Sequence, residues 1–185
     1  SIFQRSFLMN NKYHLLKSIL FSNFSRLRYP YKVTFALTYK CNLKCKICKI
    51  WEKVHKQELS INEIELIFRN LNNLSWLDLT GGEISVREDL IEAVRVIIKN
   101  SHNLAIFHIS TNGQLPNKIY SLVKKVIELG VIPMVNISLD GPQEVNDRLK
   151  GENGAYNNSI ETYKMLKSIP KGYYYISCTI SNSNK

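Results

Sequence analysis

Apolar and polar residues alternate with a period of two in five short segments from residue 32 onward. This period is typical of β-strands, in which successive side chains point to opposite faces. In each segment one face is apolar and the other is polar or small, increasingly so toward the C-terminal end. The predicted strands are Lys32–Thr38, Trp76–Thr80, Leu104–Thr111, Val135–Asp140 and Tyr173–Ile180.

The segments between these strands have helical patterns with recognisable start and stop signals. Two pairs have the spacing of a capping box, and a Pro and a Gly bracket a further helix. A fourth helix is predicted over Tyr156–Ser168. Strands that alternate with helices favour a parallel sheet with right-handed crossovers. The signals are Ser60 with Glu63, Ser85 with Glu88, and Pro116 with Gly130.

One face of the predicted sheet is polar in all five strands, whereas an open sheet covered by helices on both faces should be apolar on both. We therefore predict an α/β fold: a partial TIM-like barrel of the (βα)6 type with about five βα strands, preceded by a helical segment. A polar interior suits a polar ligand at the C-terminal mouth. The polar positions are Thr34, Ala36, Thr38, Asp78, Thr80, His108, Ser110, Asn112, Asn136, Ser138, Asp140, Ser177 and Thr179.

Two regions differ in composition. The first 29 residues are basic and aromatic, and their apolar positions are interrupted by Lys, His and Asn without a small-residue cleavage site. We expect residues 1–30 to form a helical accessory segment and residues 31–185 a core domain that is incomplete at its C-terminus. No apolar run is long enough to cross a membrane.

Three of the four cysteines, Cys41, Cys45 and Cys48, form a C-x3-C-x2-C triplet directly after the first strand. Three thiolates leave one coordination position open, as at catalytic zinc, or leave one iron of a four-iron cluster without a protein ligand. The fourth, Cys178, lies on the apolar face of its strand and is predicted to be a small core residue. This usage disfavours a disulfide framework and indicates a reducing, cytoplasmic location.

The formal net charge of +10 favours anionic partners, but Lys and Arg are scattered along the chain without a long basic block. We interpret them as a solvated basic surface and do not expect nucleic acid as a partner. His55 lies close enough to the triplet to complete a Cys3His zinc site. His14 and His102 are expected at the surface. His108 is expected to pack inside the barrel, where it could also reach a substrate.

The triplet resembles the signature of radical S-adenosylmethionine (SAM) enzymes. Further motifs follow in the order of that family, at the ends of predicted strands. The resemblance covers the chain from about residue 31 onward and is closest to the branch of molybdenum-cofactor synthases and SPASM or twitch enzymes. The further motifs are Thr80-Gly81-Gly82-Glu83, Ser110-Thr111-Asn112-Gly113 and Ser138-Leu139-Asp140-Gly141-Pro142.

The resemblance implies that Cys41, Cys45 and Cys48 bind three irons of a [4Fe-4S] cluster and that SAM chelates the fourth. Reductive cleavage of SAM then gives a 5′-deoxyadenosyl radical for modification of a peptide or small metabolite. It also implies a low-potential electron donor such as flavodoxin or ferredoxin. Ile47 stands where the family often has an aromatic residue near the adenine.

The resemblance also implies SAM contacts. Gly81 and Gly82 would let the backbone approach the methionine moiety closely, and Glu83 would pair with its ammonium. The other expected contacts are Thr111, Asn112, Ser138 and Asp140.

Two other functions remain open. One is a non-catalytic iron–sulfur module for electron transfer or regulation, which does not require Gly81, Gly82 or Glu83. The other is a zinc-binding nucleic-acid module, which the net charge and His55 support. The residues indicate no catalytic group that acts on the substrate.

Overall fold

A computed structural model describes residues 2–53 and 57–184, with the side chains of the first helix described from Asn10 onward. Its strands form one sheet in the order β1-β2-β3-β4-β5, and every neighbouring pair is parallel. The predicted α/β fold and partial TIM-like barrel are confirmed. The strands are β1 Lys32–Thr38, β2 Trp76–Gly81, β3 Ile106–Thr111, β4 Ile132–Ser138 and β5 Tyr173–Ser177.

A helix precedes the sheet, and further helices connect its strands. Ser60 and Glu63 form the predicted capping box: the Glu63 N–H donates to the Ser60 hydroxyl, and the Ser60 N–H donates to the Glu63 carboxylate. Pro116 lies in the first turn of α4, and Gly130 follows that helix with φ +83°. The helices are α1 Ile2–Ser22, α2 Ile61–Arg69, α3 Leu90–Lys99, α4 Pro116–Glu128, α5 Gln143–Lys150 and α6 Ala155–Lys167.

The second predicted capping box is wrong. Ser85 lies in a short 3-10 helix, Ile84–Val86, and both its N–H and its hydroxyl donate to Glu83. Helix α3 begins only after Asp89. The sequence does not predict helix α5, because the helix is short and strongly polar and has only Val145 and Leu149 as an apolar pair.

The core lies between the apolar face of the sheet and the helices that follow β1 to β4. Leu77, Phe107 and Val135 are fully buried on that face, and Phe68 of α2 packs edge to face against Phe35 at 5.2 Å. Burial of side chains of this size contributes roughly 1.5–3 kcal/mol each. This packing directs the opposite, polar face toward the interior of the partial barrel.

Strand β5 is less covered than its neighbours. It ends at Ser177, and Cys178 beyond it is exposed. The prediction that Cys178 is a core residue is therefore wrong. Among the described elements α6 packs against β5, and Tyr174 contacts the core, whereas Ile176 and Cys178 on the same face are exposed.

Helix α1 lies against the N-terminal edge of the sheet. The Asn11 amide donates to the Leu104 carbonyl at 3.0 Å, and His14 Nδ1 is 2.9 Å from the Ser75 hydroxyl. His102 is exposed as expected, but His14 is only half exposed. None of the helices among the described residues combines the length and apolarity that crossing a bilayer requires.

The contact of His14 predicts a pH-dependent attachment of α1. Burial, assisted by Lys17, lowers the pKa of His14, so the folded state favours the neutral ring. The associated stability is present above the ordinary histidine pKa and is lost as the pH falls through the lowered folded value. We expect α1 amides, corrected for intrinsic rates, to exchange faster with solvent at about pH 5 than at about pH 7.5. In the variant His14→Gln the exchange of the α1 amides should no longer depend on pH in this way. The same pH dependence in the variant would contradict the role of His14.

Candidate cofactor site at the C-terminal edge of the sheet

The carboxyl ends of the strands surround a cavity of about 220 Å³. The cavity brings together residues from the triplet and from all three motifs that follow it. This is the edge at which parallel α/β sheets and barrels bind their ligands. Its lining includes Cys41, Cys45, Ile47, Cys48, Thr80, Gly81, Gly82, Ser110, Thr111, Asn112, Asn136, Ser138, Asp140, Lys150 and Thr179.

The cysteine loop, residues 39–49, is held on its outer side by the C-terminal end of α5. The Lys46 N–H donates to the Leu149 carbonyl at 2.9 Å. Gly151 makes room for the loop, because a Cβ there would lie 2.9 Å from the Lys44 carbonyl oxygen. Leu43 anchors the loop and is 2% exposed. The loop leaves Cys41 and Cys45 half-buried and Cys48 exposed.

On its inner side the cysteine loop is held by Gly81 and Gly82. The Gly82 N–H donates to the Thr38 carbonyl, and the Glu83 N–H donates to the Lys40 carbonyl, both at 2.8 Å. A Cβ on Gly81 would lie 2.0 Å from the Thr38 oxygen, and one on Gly82 would lie 2.1 Å from the Lys40 oxygen. Glycine is therefore required at both positions for the loop to start where it does. The predicted approach to a methionine moiety stays a prediction.

The Glu83 carboxylate is fully buried and does not line the cavity. It accepts hydrogen bonds from Ser85, from the Thr111 hydroxyl at 2.9 Å and from the Asn112 N–H at 2.6 Å. It thereby fixes the loop after β3. Its predicted pairing with an ammonium group stays a prediction.

Asn112 connects this loop to the cysteine loop. Its side-chain amide donates to the Asn42 side-chain oxygen at 2.8 Å and lies 3.9 Å from Cys41 Sγ. A chain of contacts therefore joins the Gly81–Glu83 segment, the end of β3 and the cysteines.

A buried ion pair forms the side of the cavity opposite β1. Lys150 Nζ lies 2.8 Å from an Asp140 carboxylate oxygen and also donates to the Ser138 hydroxyl at 2.8 Å. The other Asp140 oxygen accepts from the Thr179 N–H. The side chains of Lys150 and Asp140 are only 6% and 5% exposed, and buried charges of this kind need such partners.

Sequence reasoning missed Lys150, because a lysine at a helix C-terminus is ordinarily solvated. The sequence carries one indirect signal. Gly151 takes the left-handed conformation that ends α5, which places Lys150 in the last turn of a helix directly after the Ser138–Pro142 motif.

Burial and a nearby charge act in opposite directions on the pKa values of the thiols. Burial raises the pKa of Cys41 and of Cys45, and the charge of Lys150 opposes that rise at Cys45. Thiols with raised pKa values are protonated at neutral pH, so loading with metal must release protons.

The three cysteines predicted to bind metal all line the cavity. Among the described residues, no three His, Cys, Asp or Glu side chains are arranged to hold one metal ion. In a four-iron cluster each cysteine binds a separate iron, so the three thiols need not converge on one ion. His55, on which the zinc alternative depends, lies outside the described residues.

Below the cavity, the inner face carries a hydrogen-bonded chain of three side chains. His108 Nδ1 lies 3.1 Å from Asp78, and His108 Nε2 lies 2.6 Å from the Tyr175 hydroxyl. Burial and the charge of Asp78 raise the pKa of Tyr175. His108 thus packs inside the barrel, as expected.

Comparisons with known proteins agree with this geometry. The subtilosin biosynthesis protein AlbA of Bacillus subtilis is 31% identical over 143 residues, which are 74% of this chain and 30% of AlbA. The GTP 3′,8-cyclase of Marinobacter nauticus is 34% identical over 114 residues, which are 58% of this chain and 32% of that protein. The chain thus spans about a third of the length of these curated relatives.

A solved structure shares the fold. Native anSMEcpe with bound AdoMet and Cp18Cys peptide matches with a TM-score of 0.64 at 22% identity, covering 80% of this chain and 43% of that one. The family model described as the radical SAM superfamily matches residues 35–178, which is most of the chain. The chain belongs to the radical SAM superfamily.

Proposed function

We propose that Cys41, Cys45 and Cys48 hold a [4Fe-4S] cluster and that SAM binds beside it in the cavity. The observation that carries this proposal is the convergence of three thiols and three polar strand ends on one cavity. When bound, the reduced cluster and SAM supply a 5′-deoxyadenosyl radical for hydrogen abstraction from a substrate. The chain itself orients these groups in the cavity.

The polar lining matches the groups that SAM would present. The Asp140–Lys150 pair gives the cavity one charge of each sign, and the methionine part of SAM carries an ammonium and a carboxylate. The side-chain oxygen of Asn136, also in the lining, is buried and has no hydrogen-bond partner among the described residues. A hydroxyl or amine of a ligand would satisfy it, and an unmade buried hydrogen bond is costly.

We propose a peptide as the substrate and a small metabolite as the second candidate. AlbA is named for biosynthesis of a bacteriocin, and anSMEcpe is seen with a peptide, whereas the GTP 3′,8-cyclase is named for a nucleotide. The inner face of the partial barrel, with Asp78, His108 and Tyr175, offers polar groups below the cavity. The proposal includes a low-potential electron donor such as flavodoxin or ferredoxin.

Anaerobic reconstitution with iron and sulfide tests the proposal directly. We expect about four irons per chain, and methionine with 5′-deoxyadenosine on addition of SAM and reductant. Replacement of Cys41, Cys45 and Cys48 by Ala should abolish iron binding and SAM cleavage. Cys178→Ala, outside the site, should change neither the iron content nor the cleavage. A cluster without SAM cleavage would favour the electron-transfer alternative, and one zinc per chain would favour the nucleic-acid module.

Gly82→Ala should displace the cysteine loop, because the new Cβ would collide with the Lys40 carbonyl oxygen. We expect lower iron content after reconstitution together with a loss of stability. Gly154→Ala is the matched control: it strains a left-handed residue with φ +83° in open space, far from the loop in sequence. Iron content that falls equally in both variants would show that general destabilisation is the cause.

Glu83→Gln replaces a carboxylate that only accepts hydrogen bonds by an amide that presents donors to other donors. We expect the free energy of unfolding in urea to fall by about 1–3 kcal/mol, because buried acceptors are lost. The exposed Glu88→Gln should change it by less than about 0.5 kcal/mol. Unchanged stability with weakened SAM binding would instead support direct pairing with the ammonium.

A further inference from the structure

Lysines surround the cysteine triplet. Five of them fall between residues 40 and 53, a stretch whose only carboxylate is Glu52. All five are exposed, so the basic residues that look scattered along the sequence include a concentrated group on one loop. We call this group the basic loop face: Lys40, Lys44, Lys46, Lys49 and Lys53.

The basic loop face points away from the cavity. None of its lysines lines the cavity, although Cys45 and Cys48 between them do. Lys40 pairs with Glu58 at 3.1 Å and Lys49 lies 3.8 Å from Glu52. Within the described parts of the chain, Lys44 and Lys46 form no salt bridge. The face therefore keeps an excess of positive charge directly outside the cysteines.

An aromatic residue lies among these lysines. Trp51 is 36% exposed, and the Lys44 ammonium lies 6.0 Å from the centre of its ring. Its indole N–H donates to the Cys45 carbonyl oxygen at 3.2 Å. A partly exposed aromatic side chain inside a charged rim is the usual composition of a protein–protein contact. This one is hydrogen-bonded to the backbone of a proposed cluster ligand.

We propose that the basic loop face docks an acidic, protein-bound one-electron donor next to the cluster. The inference rests on the proposed function, since the cluster is the electron acceptor. In the step the donor loses one electron and the cluster gains it, and no bond or proton is exchanged. Attraction between the basic loop face and an acidic donor raises the rate at which the two proteins meet. A fast encounter is what a transient electron-transfer pair requires.

The position of the lysines favours this partner over an acidic substrate peptide or a nucleic acid. A substrate must reach the cavity, whereas an electron donor needs only to approach the outer side of the cysteine loop. A face confined to one loop also suits the small interfaces of electron-transfer pairs, which bury less than about 1,200 Å².

Stopped-flow measurement of cluster reduction by reduced flavodoxin, used as the acidic probe, tests this inference. The test variant combines Lys44→Glu, Lys46→Glu and Lys49→Glu. The control combines Lys124→Glu, Lys164→Glu and Lys167→Glu on α4 and α6, which changes the net charge equally. We expect the test variant to lower the second-order rate constant at low salt by at least about tenfold, and the control to change it little. Added salt should slow the wild-type chain but should not slow the test variant, whose altered face repels an acidic donor.

Iron content and the total cluster reducible by dithionite should be equal in all three proteins. A loaded test variant that flavodoxin reduces as fast as the control would overturn the inference. Loss of single-stranded DNA binding in the test variant, with an unchanged flavodoxin rate, would also overturn it in favour of a nucleic-acid surface. A wild-type chain that takes up no cluster would overturn the proposed function itself, which keeps the two failures distinct.

Discussion

The contact between the Gly81–Glu83 backbone and the backbone of Thr38–Lys40 is the constraint on which the rest of the site depends. Two hydrogen bonds of 2.8 Å join the end of β2 to the start of the cysteine loop. The separation leaves no room for a side chain on either glycine. The loop therefore begins at a fixed point and turns its cysteines toward the cavity.

Three buried ionisable groups, Glu83, Lys150 and Asp140, extend that constraint to the other strands. Glu83 holds the loop after β3 through Thr111 and Asn112, and Asn112 reaches back to Asn42 in the cysteine loop. Lys150, paired with Asp140, lies on the other side of the cavity at the end of α5. The same helix end accepts the Lys46 N–H, so α5 positions both a charge and the cysteine loop. Buried ionisable groups with several hydrogen-bond partners favour one arrangement of their neighbours, because an alternative arrangement leaves buried polar atoms without partners.

Much of this architecture is predictable from local sequence, and the exceptions have physical causes. Strand alternation gave the parallel sheet and the polar interior, because one buried face imposes a period of two. The capping box predicted for Ser85 and Glu88 is absent because the Ser85 hydroxyl donates to the Glu83 carboxylate, a contact that residue spacing alone does not reveal. Cys178 is exposed because β5 ends at Ser177, so the strand alternation does not extend to this residue. The sequence does not predict Lys150 as a site residue, because its burial depends on its tertiary contacts with Asp140 and Ser138.

The central claim is that the open coordination position left by three cysteines is filled by SAM. The most direct measurement is electron–nuclear double resonance of the reduced cluster with SAM labelled with 15N at its amine. The account predicts a cluster signal with a 15N coupling that disappears when unlabelled SAM is used. A cluster signal without that coupling, or a protein that holds zinc and no iron, would contradict it.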